Sequence, residues 1–239
     1  MFVLSANPTP PMTPERWRTL NRVLNARQPD LTVLLDNVHK PHNLSAILRT
    51  CDAVGVLAAH AVWPNPKLRP SGGIAAGADK WVPVHTHRTV DSAIRQLRAQ
   101  GFRVLVATRS EHAQDYRLPD YTQATAFVLG AELFGVSAAA CAAADQMIDI
   151  PMHGMVESLN VSVAAAALLF EAQRQRMQAG CYAASRLDRD TRRATLFEWA
   201  YPKIADHCRR HQLPYPDLDR QGAPSKADDP AATIMDSVS

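Results

Sequence analysis

Three stretches of the chain carry residue types that could hold and activate a small ligand. The first is His39-Lys-Pro-His-Asn-Leu-Ser-Ala-Ile-Leu-Arg-Thr50. Leu44, Ile47, Leu48, Cys51 and Gly55 recur there at helical spacing and form one packed stripe. Arg49 falls nearly opposite that stripe, so it points toward solvent, a ligand or a partner subunit. Pro41 discourages helix before it, which places Asn43 as the cap of the helix that follows. A cap plus a solvated arginine would account for the same residues. The second stretch is Phe127-Val-Leu-Gly-Ala-Glu-Leu-Phe-Gly135. A strand running into Gly130 lets a ligand approach the backbone closely, and Glu132 adds a carboxylate. The full G-x-G-x-x-G fingerprint and the phosphate-binding G-x-x-x-x-G-K-[ST] are both absent, so dinucleotide or ATP binding is poorly supported. A plain turn with an exposed Glu132 fits equally well. The third is Ile148-Asp-Ile-Pro-Met-His-Gly-Met-Val-Glu-Ser-Leu-Asn-Val-Ser-Val163, with a helix beginning near Ser158. Free backbone N–H groups at that helix start await partners. Capping needs one of Ser158 and Asn160, and both are present.

These stretches need elements to position them. Short apolar runs at 31–35, 58–63, 81–85, 103–107, 126–129 and 147–150 read as buried strands. Helical patterns near 43–55, 89–100, 137–144 and 159–178 alternate with them, the last closing at Gly180. Continuous apolar strands separated by helices predict an α/β fold, a parallel sheet with helices on both faces. Ligands in such sheets sit beyond the carboxyl ends of the strands, where all three stretches fall. Before the sheet, Met1 to Pro11 is expected to be disordered. A helix then starts at Thr13-Pro14-Glu15 and ends at Gln28-Pro29-Asp30. After it, Asp188 to Arg210 reads as helix interrupted at Pro202, and Gly222 to Ser239 as frayed. The reading divides the chain into a start and basic helix at 1–30, a catalytic-type domain at 31–180, and a helical extension with an acidic tail at 181–239.

Of the 239 residues, 46% are hydrophobic and 21% charged, which is ordinary globular composition and enough to bury a core without disulfides or metal. The cysteines at 51, 141, 181 and 208 have no zinc-ligand spacing, so no metal is expected and a reducing, cytoplasmic setting fits. No signal peptide is read at the N-terminus. The apolar run Val161 to Phe170 is too short to span a bilayer, so no membrane association is expected. The formal charge of +3 says little, but its distribution says more. Residues 174–210 hold nine Lys/Arg against four Asp/Glu, which suits either an anionic partner or a solvated helix.

Taken in order, Asn43…Arg49, Leu129-Gly-x-Glu132-x-x-Gly135 and Ile150-Pro-Met-x-Gly154-x-x-x-Ser158-Leu-Asn-Val-Ser-Val163 resemble the three motifs of the SpoU-type branch of the SPOUT methyltransferases. The third motif is long and specific. Further segments resemble the bacterial tRNA-methylating members of the SpoU/TrmH type: Arg-Gln-Pro-Asp-Leu31, Ala-Val-Trp-Pro64, Glu-Ala-Gln-Arg-Gln-Arg176 and Leu-Pro-Tyr-Pro216. The likeness spans about residues 12–222. It implies a SPOUT fold with a C-terminal trefoil knot, a homodimer, and S-adenosyl-L-methionine as cofactor. It also implies methylation of the ribose 2′-oxygen of guanosine at position eighteen in the tRNA D-loop. On the same ground the cofactor would be lined by Ala107, Thr108, Leu129, Gly130, Ile150, Met152, Ser158 and Leu159. Arg49 would be the catalytic residue, with Asn43, Glu132, Ser158 and Asn160 around it. RNA binding would fall to Arg16, Arg18, Arg22, Arg174, Arg176, Arg192 and Arg193.

Other functions meet specific obstacles in the residues. A ribosomal RNA methyltransferase of this type often carries a separate N-terminal RNA-binding domain, whereas only about thirty residues precede the first strand here. A non-catalytic RNA-binding protein of the same fold would not need Asn43, Arg49, Glu132, Ser158 and Asn160 all in motif positions. A Ser158-based hydrolase would need G-x-S-x-G and a histidine with a partner, and only His153 lies near in sequence.

Overall fold

The computed structural model describes residues 12–63, 80–131 and 134–224. The expected disorder of Met1 to Pro11, most of the acidic tail and the role of Glu132 therefore lie outside the described residues. The described chain divides into two compact units, one of residues 27–186 and one built from both ends of the sequence.

The larger unit is a seven-stranded sheet: β1 (Leu31–Asp36), β2 (Ala59–Val62), β3 (Val84–His87), β4 (Arg103–Ala107), β5 (Gln114–Asp115), β6 (Thr125–Gly130) and β7 (Gln146–Asp149). Their order is β3-β2-β1-β6-β4-β7-β5, and every pairing is parallel. The central strands β1 and β6 are buried along their whole length because helices cover both faces. On one face α2 (Pro41–Val54) and α5 (Val161–Gln178) pack Ile47, Leu48, Leu168 and Leu169 against Val33, Leu35 and Phe127. On the other, α3 (Val90–Ala99) and α4 (Ala138–Ala142) pack Ile94, Leu97 and Ala140 against Leu34, Val104 and Val128. This is the α/β architecture expected from the alternation.

Local chemistry sets where the elements begin. Pro41 occupies the first turn of α2, where its fixed φ suits a helix and its missing N–H is no loss. The helix therefore starts two residues before Asn43, and Lys40, not Asn43, holds the cap position. Asn160 caps α5 through its own side chain, which accepts from the Ser162 N–H. The start expected near Ser158 thus moves two residues on, and Ser158 stays in the exposed loop before it. The strand expected at 81–85 forms at 84–87 instead. Pro83 has no N–H for the ladder, and the Trp81 carbonyl accepts from the buried Arg27 guanidinium.

Arg176 is fully buried in this unit and ties the end of α5 to the start of β1. It pairs with Asp30 at 2.6 Å and donates to Gln28, to the carbonyls of Asp30, Tyr121 and Gln123. Its expected role in binding RNA gives way to this one: a guanidinium with its donors committed inside the fold cannot reach a phosphate.

The second unit packs α1 (Pro14–Asn25) against α6 (Arg189–Ala200), which leads at Pro202 into α7 (Pro202–His211). Thr13 and Asp188 cap α1 and α6 as their types favour. Phe197 stacks on Tyr215 at 5.0 Å between ring centroids, and Tyr201 donates to the Gly222 carbonyl, so the chain after α7 is bound back into the unit.

Candidate active site

The site grows from the carboxyl ends of β1, β6, β4 and β7, four neighbours in the sheet. Asp36 ends β1 opposite Gly130, which ends β6. The Asp36 carboxylate is buried and accepts from the Ser137 N–H at 2.9 Å and from the Asn37 amide at 2.8 Å. It thereby fastens the segment after β6 to the end of β1. That segment turns back at once: the Gly135 N–H donates to the Ala131 carbonyl at 2.7 Å. The turn is so tight that a Cβ at Gly130 would lie 2.1 Å from the backbone carbon of Gly135. Only glycine fits, which is the physical content of the first glycine in G-x-E-x-x-G.

Of the residues expected at the cofactor, six sit at three adjacent strand ends. Leu129 and Gly130 close β6, Ala107 and Thr108 close β4, and Ile150 and Met152 follow β7. The Thr108 N–H donates to the Ile148 carbonyl at 3.0 Å, which continues the β4–β7 ladder to this rim. Ala107 and Ile150 are partly buried against the core. Met152 and Leu159 are half-buried and Ser158 is exposed, on the segment that leads into α5. Half-buried apolar side chains at a rim of free strand-end backbone suit a purine nucleoside carrying a thioether arm: apolar area covers the rings, and backbone groups meet the base edge. In that chemistry the residues present fit the expected methyl donor. Among the described residues no cluster of three or more His, Cys, Asp or Glu side chains is arranged to hold a metal ion.

The first and third motifs meet directly. The Asn160 Nδ2 donates to the Asn43 Oδ1 at 3.2 Å, across 117 residues of sequence, while the Asn160 Oδ1 accepts from Ser162. Asn43 is buried. Beside this pair opens a cleft of about 370 Å³, with Asn37, His39, Lys40, Ala131 and Phe134 among the residues on its walls. Arg49 lies on the exposed face of α2, opposite the buried stripe, and has no ion-pair partner among the described residues. Cys51, in that stripe, is fully buried, and burial pushes its thiol up to about 12, which leaves it inert. Sequence reasoning missed Asp36, Asn37 and Phe134. The Asp-Asn pair directly after an apolar strand was the available signal for a turn at the strand end.

The arginines expected to meet RNA are placed unequally. Arg16, Arg18 and Arg22 are exposed along α1. Arg174 is exposed on α5 and paired with Glu171 at 2.7 Å. Arg192 donates to Asn21 and Asn25, and Arg193 pairs with Asp217 at 2.8 Å.

Comparison with known proteins identifies the chain's relatives. The model of the SpoU rRNA methylase family matches residues 30–170, and that of the SpoU rRNA methylase C-terminal region matches residues 174–223. The tRNA (guanosine(18)-2′-O)-methyltransferase of Escherichia coli (strain K12) is 49% identical, over 88% of this chain and 93% of that protein. The crystal structure of the A. aeolicus TrmH/SpoU tRNA modifying enzyme superposes with a TM-score of 0.74 at 40% identity, covering 80% of this chain and 97% of that one. The SpoU methyltransferase AviRb from Streptomyces viridochromogenes, solved in complex with AdoMet, has a TM-score of 0.54 at 29% identity, covering 64% of this chain and 62% of its own.

Proposed function

Because the chain belongs to the SpoU rRNA methylase family, we propose that it methylates the ribose 2′-oxygen of guanosine 18 in the D-loop of tRNA. The observation that carries this reading is the near full-length match to a tRNA enzyme, 88% of this chain against 93% of that relative. S-adenosyl-L-methionine supplies the methyl group, as a sulfonium substituent open to in-line attack. The chain's own work is to align the ribose oxygen and to ease loss of its proton. Arg49 is the catalytic residue in this proposal. A guanidinium stays protonated at physiological pH, so it acts as a fixed positive charge beside the oxygen as negative charge develops there. The proton passes to water or to an RNA phosphate. Asn43 and Asn160, already joined, hold the first motif against the third. Ser158 and Glu132 are the remaining residues this proposal assigns to catalysis, and the cofactor is lined by the strand-end residues named above.

A second copy of this chain completes the assembly. The first half of α5 is apolar nearly all round: Val161, Ala165, Leu168 and Leu169 face the core, while Val163 and Phe170 are exposed. Met155 and Val156, just before it, are exposed as well. A helical stretch apolar nearly all round needs cover on both faces. A self-complementary two-fold contact is the commonest way to supply it. Sedimentation velocity is expected to give a dimer, and Phe170→Glu a shift toward monomer; a wild-type monomer at micromolar concentration would remove this part of the proposal.

Phosphate contacts fall to Arg16, Arg18, Arg22 and Arg174, with Arg192 and Arg193 joining only by exchanging their present partners. No helix among the described residues is long and apolar enough to cross a membrane. With tRNA as substrate and all four cysteines free, we place the activity in the cytoplasm. The test is incubation of purified protein with unmodified tRNA and labelled cofactor, followed by mapping of the methylated ribose. One 2′-O-methylguanosine at position eighteen is expected, with binding that weakens steeply as salt rises. Methylation confined to ribosomal RNA would overturn the substrate.

A further inference from the structure

The cleft beside Asn43 and Asn160 does not coincide with the strand ends that fit the methyl donor, and its lining has a chemistry of its own. Phe134 forms part of its wall and is 83% exposed. Holding a whole aromatic ring in water is unfavourable unless a ligand covers it. Asn37 stands at φ 59, a left-handed backbone that turns the chain sharply off the end of β1. Its amide nitrogen donates to Asp36, so its side-chain oxygen is the acceptor it offers a ligand. His39 Nδ1 lies 2.9 Å from the Asn37 carbonyl oxygen. A carbonyl only accepts, so Nδ1 carries a proton, and in the tautomer that leaves Nε2 bare the ring offers a second acceptor. Lys40 adds positive charge to the same wall.

One π face, two acceptors and a nearby cation describe a particular kind of ligand. Guanine presents two adjacent donors on its Watson–Crick edge, N1–H and the exocyclic amino group, and carries a phosphodiester on either side of its ribose. Adenine presents an acceptor at N1 and would face acceptor against acceptor. Proteins that read unpaired bases do so by stacking them on aromatic side chains and bonding this edge. We propose that this cleft seats the guanine of the target nucleotide, stacked on Phe134, with its N1–H and amino group donating to the Asn37 side-chain oxygen and His39 Nε2. The inference rests on the methylation reading above and adds the site that selects the base. Its position agrees: Asn43 belongs both to the cleft wall and to the pair with Asn160, and Ala131 of the cleft directly follows Gly130 of the cofactor rim. The ribose of a base seated here would lie between the two.

The test compares wild type, Phe134→Ala, Phe134→Tyr and the double variant Asn37→Gly/His39→Ala, glycine being chosen to tolerate the left-handed φ. Each is assayed for kcat/KM on unmodified tRNA carrying guanosine or inosine at the target, for affinity toward S-adenosylhomocysteine by equilibrium dialysis, and for sedimentation. Phe134→Ala is expected to lose about 10- to 100-fold in kcat/KM, with tyrosine restoring most of it and homocysteine-adduct affinity unchanged within about two-fold. Inosine lacks the amino group and is expected to cost wild type about ten-fold, a preference that shrinks toward unity in the double variant. Wild-type rates for Phe134→Ala would overturn the seat. A parallel loss of S-adenosylhomocysteine affinity would place Phe134 in the cofactor site instead, and a shift from dimer to monomer would show that a second copy covers the ring. Were the wild-type protein itself to methylate no tRNA guanosine, the parent reading would fail, and the seat with it.

Discussion

Arg49→Ala is expected to slow methyl transfer to tRNA by about 100- to 1000-fold while leaving S-adenosylhomocysteine affinity within about two-fold of wild type. The loss is large because the reaction offers the protein few other handles. No bond in the substrate needs a protein nucleophile, so the chain contributes alignment and a favourable field at the oxygen. The fold's stability does not depend on the side chain: Arg49 is exposed, and the stripe that holds α2 in place, Leu44, Ile47, Leu48 and Cys51, lies on the opposite side. Arg49→Lys separates charge from shape. A lysine keeps the positive charge but loses the planar fork, so partial activity is expected from it. Transfer at the wild-type rate by Arg49→Ala, measured in single turnover with saturating cofactor, would remove the arginine from the mechanism.

Gly130→Ala is the second large effect, and it acts through geometry. The added carbon would sit 2.1 Å from Gly135 backbone atoms and 2.2 Å from the Val136 nitrogen. Side chains can rotate away from such a clash, but these neighbours are backbone, held by the Gly135–Ala131 bond and by Ser137 on the Asp36 carboxylate. Either the turn opens or β6 shifts against β1, and both displace the cofactor rim and Phe134. Displacement by about an ångström at a reacting centre costs on the order of 100-fold. Cofactor affinity is expected to fall with activity, in contrast to Arg49→Ala, and overpacking should cost about 1–3 kcal/mol of stability or more. Chemical denaturation and equilibrium dialysis read the two losses separately. A Gly130→Ala protein that binds S-adenosylhomocysteine normally would show that the turn is not part of the rim.

Much of the frame could be read from local pattern. The runs at β1, β4 and β6 are largely apolar because helices cover them on both sides, and that pattern survives in the sequence. Thr13-Pro14 and Asp188 announce their helices because caps act within one turn. What stayed hidden was non-local. Nothing near Arg176 says that Asp30 waits for it in the core, so a basic residue at a helix end is expected to meet RNA instead. Asn43 is well suited to cap a helix, and its type does not reveal that Pro41 has already begun one or that Asn160 lies across from it. Similarly, Ser158 and Asn160 both carry cap-forming side chains, and the structure caps α5 with Asn160 rather than starting it near Ser158. The two-residue β5 has too few residues to carry a period at all. That α1 packs with α6 is a contact between opposite ends of the chain, which periodicity cannot report.

The most direct test of the account is a crystal structure of the dimer with S-adenosylhomocysteine and a tRNA D-arm fragment bound. The account predicts the sulfur beside Gly130 and Ile150, the target 2′-oxygen in line with it, and the guanidinium of an Arg49, from the same subunit or its partner, within hydrogen-bonding distance of that oxygen. A sulfur bound away from the ends of β6, β4 and β7, or an oxygen that neither Arg49 can reach, would contradict it.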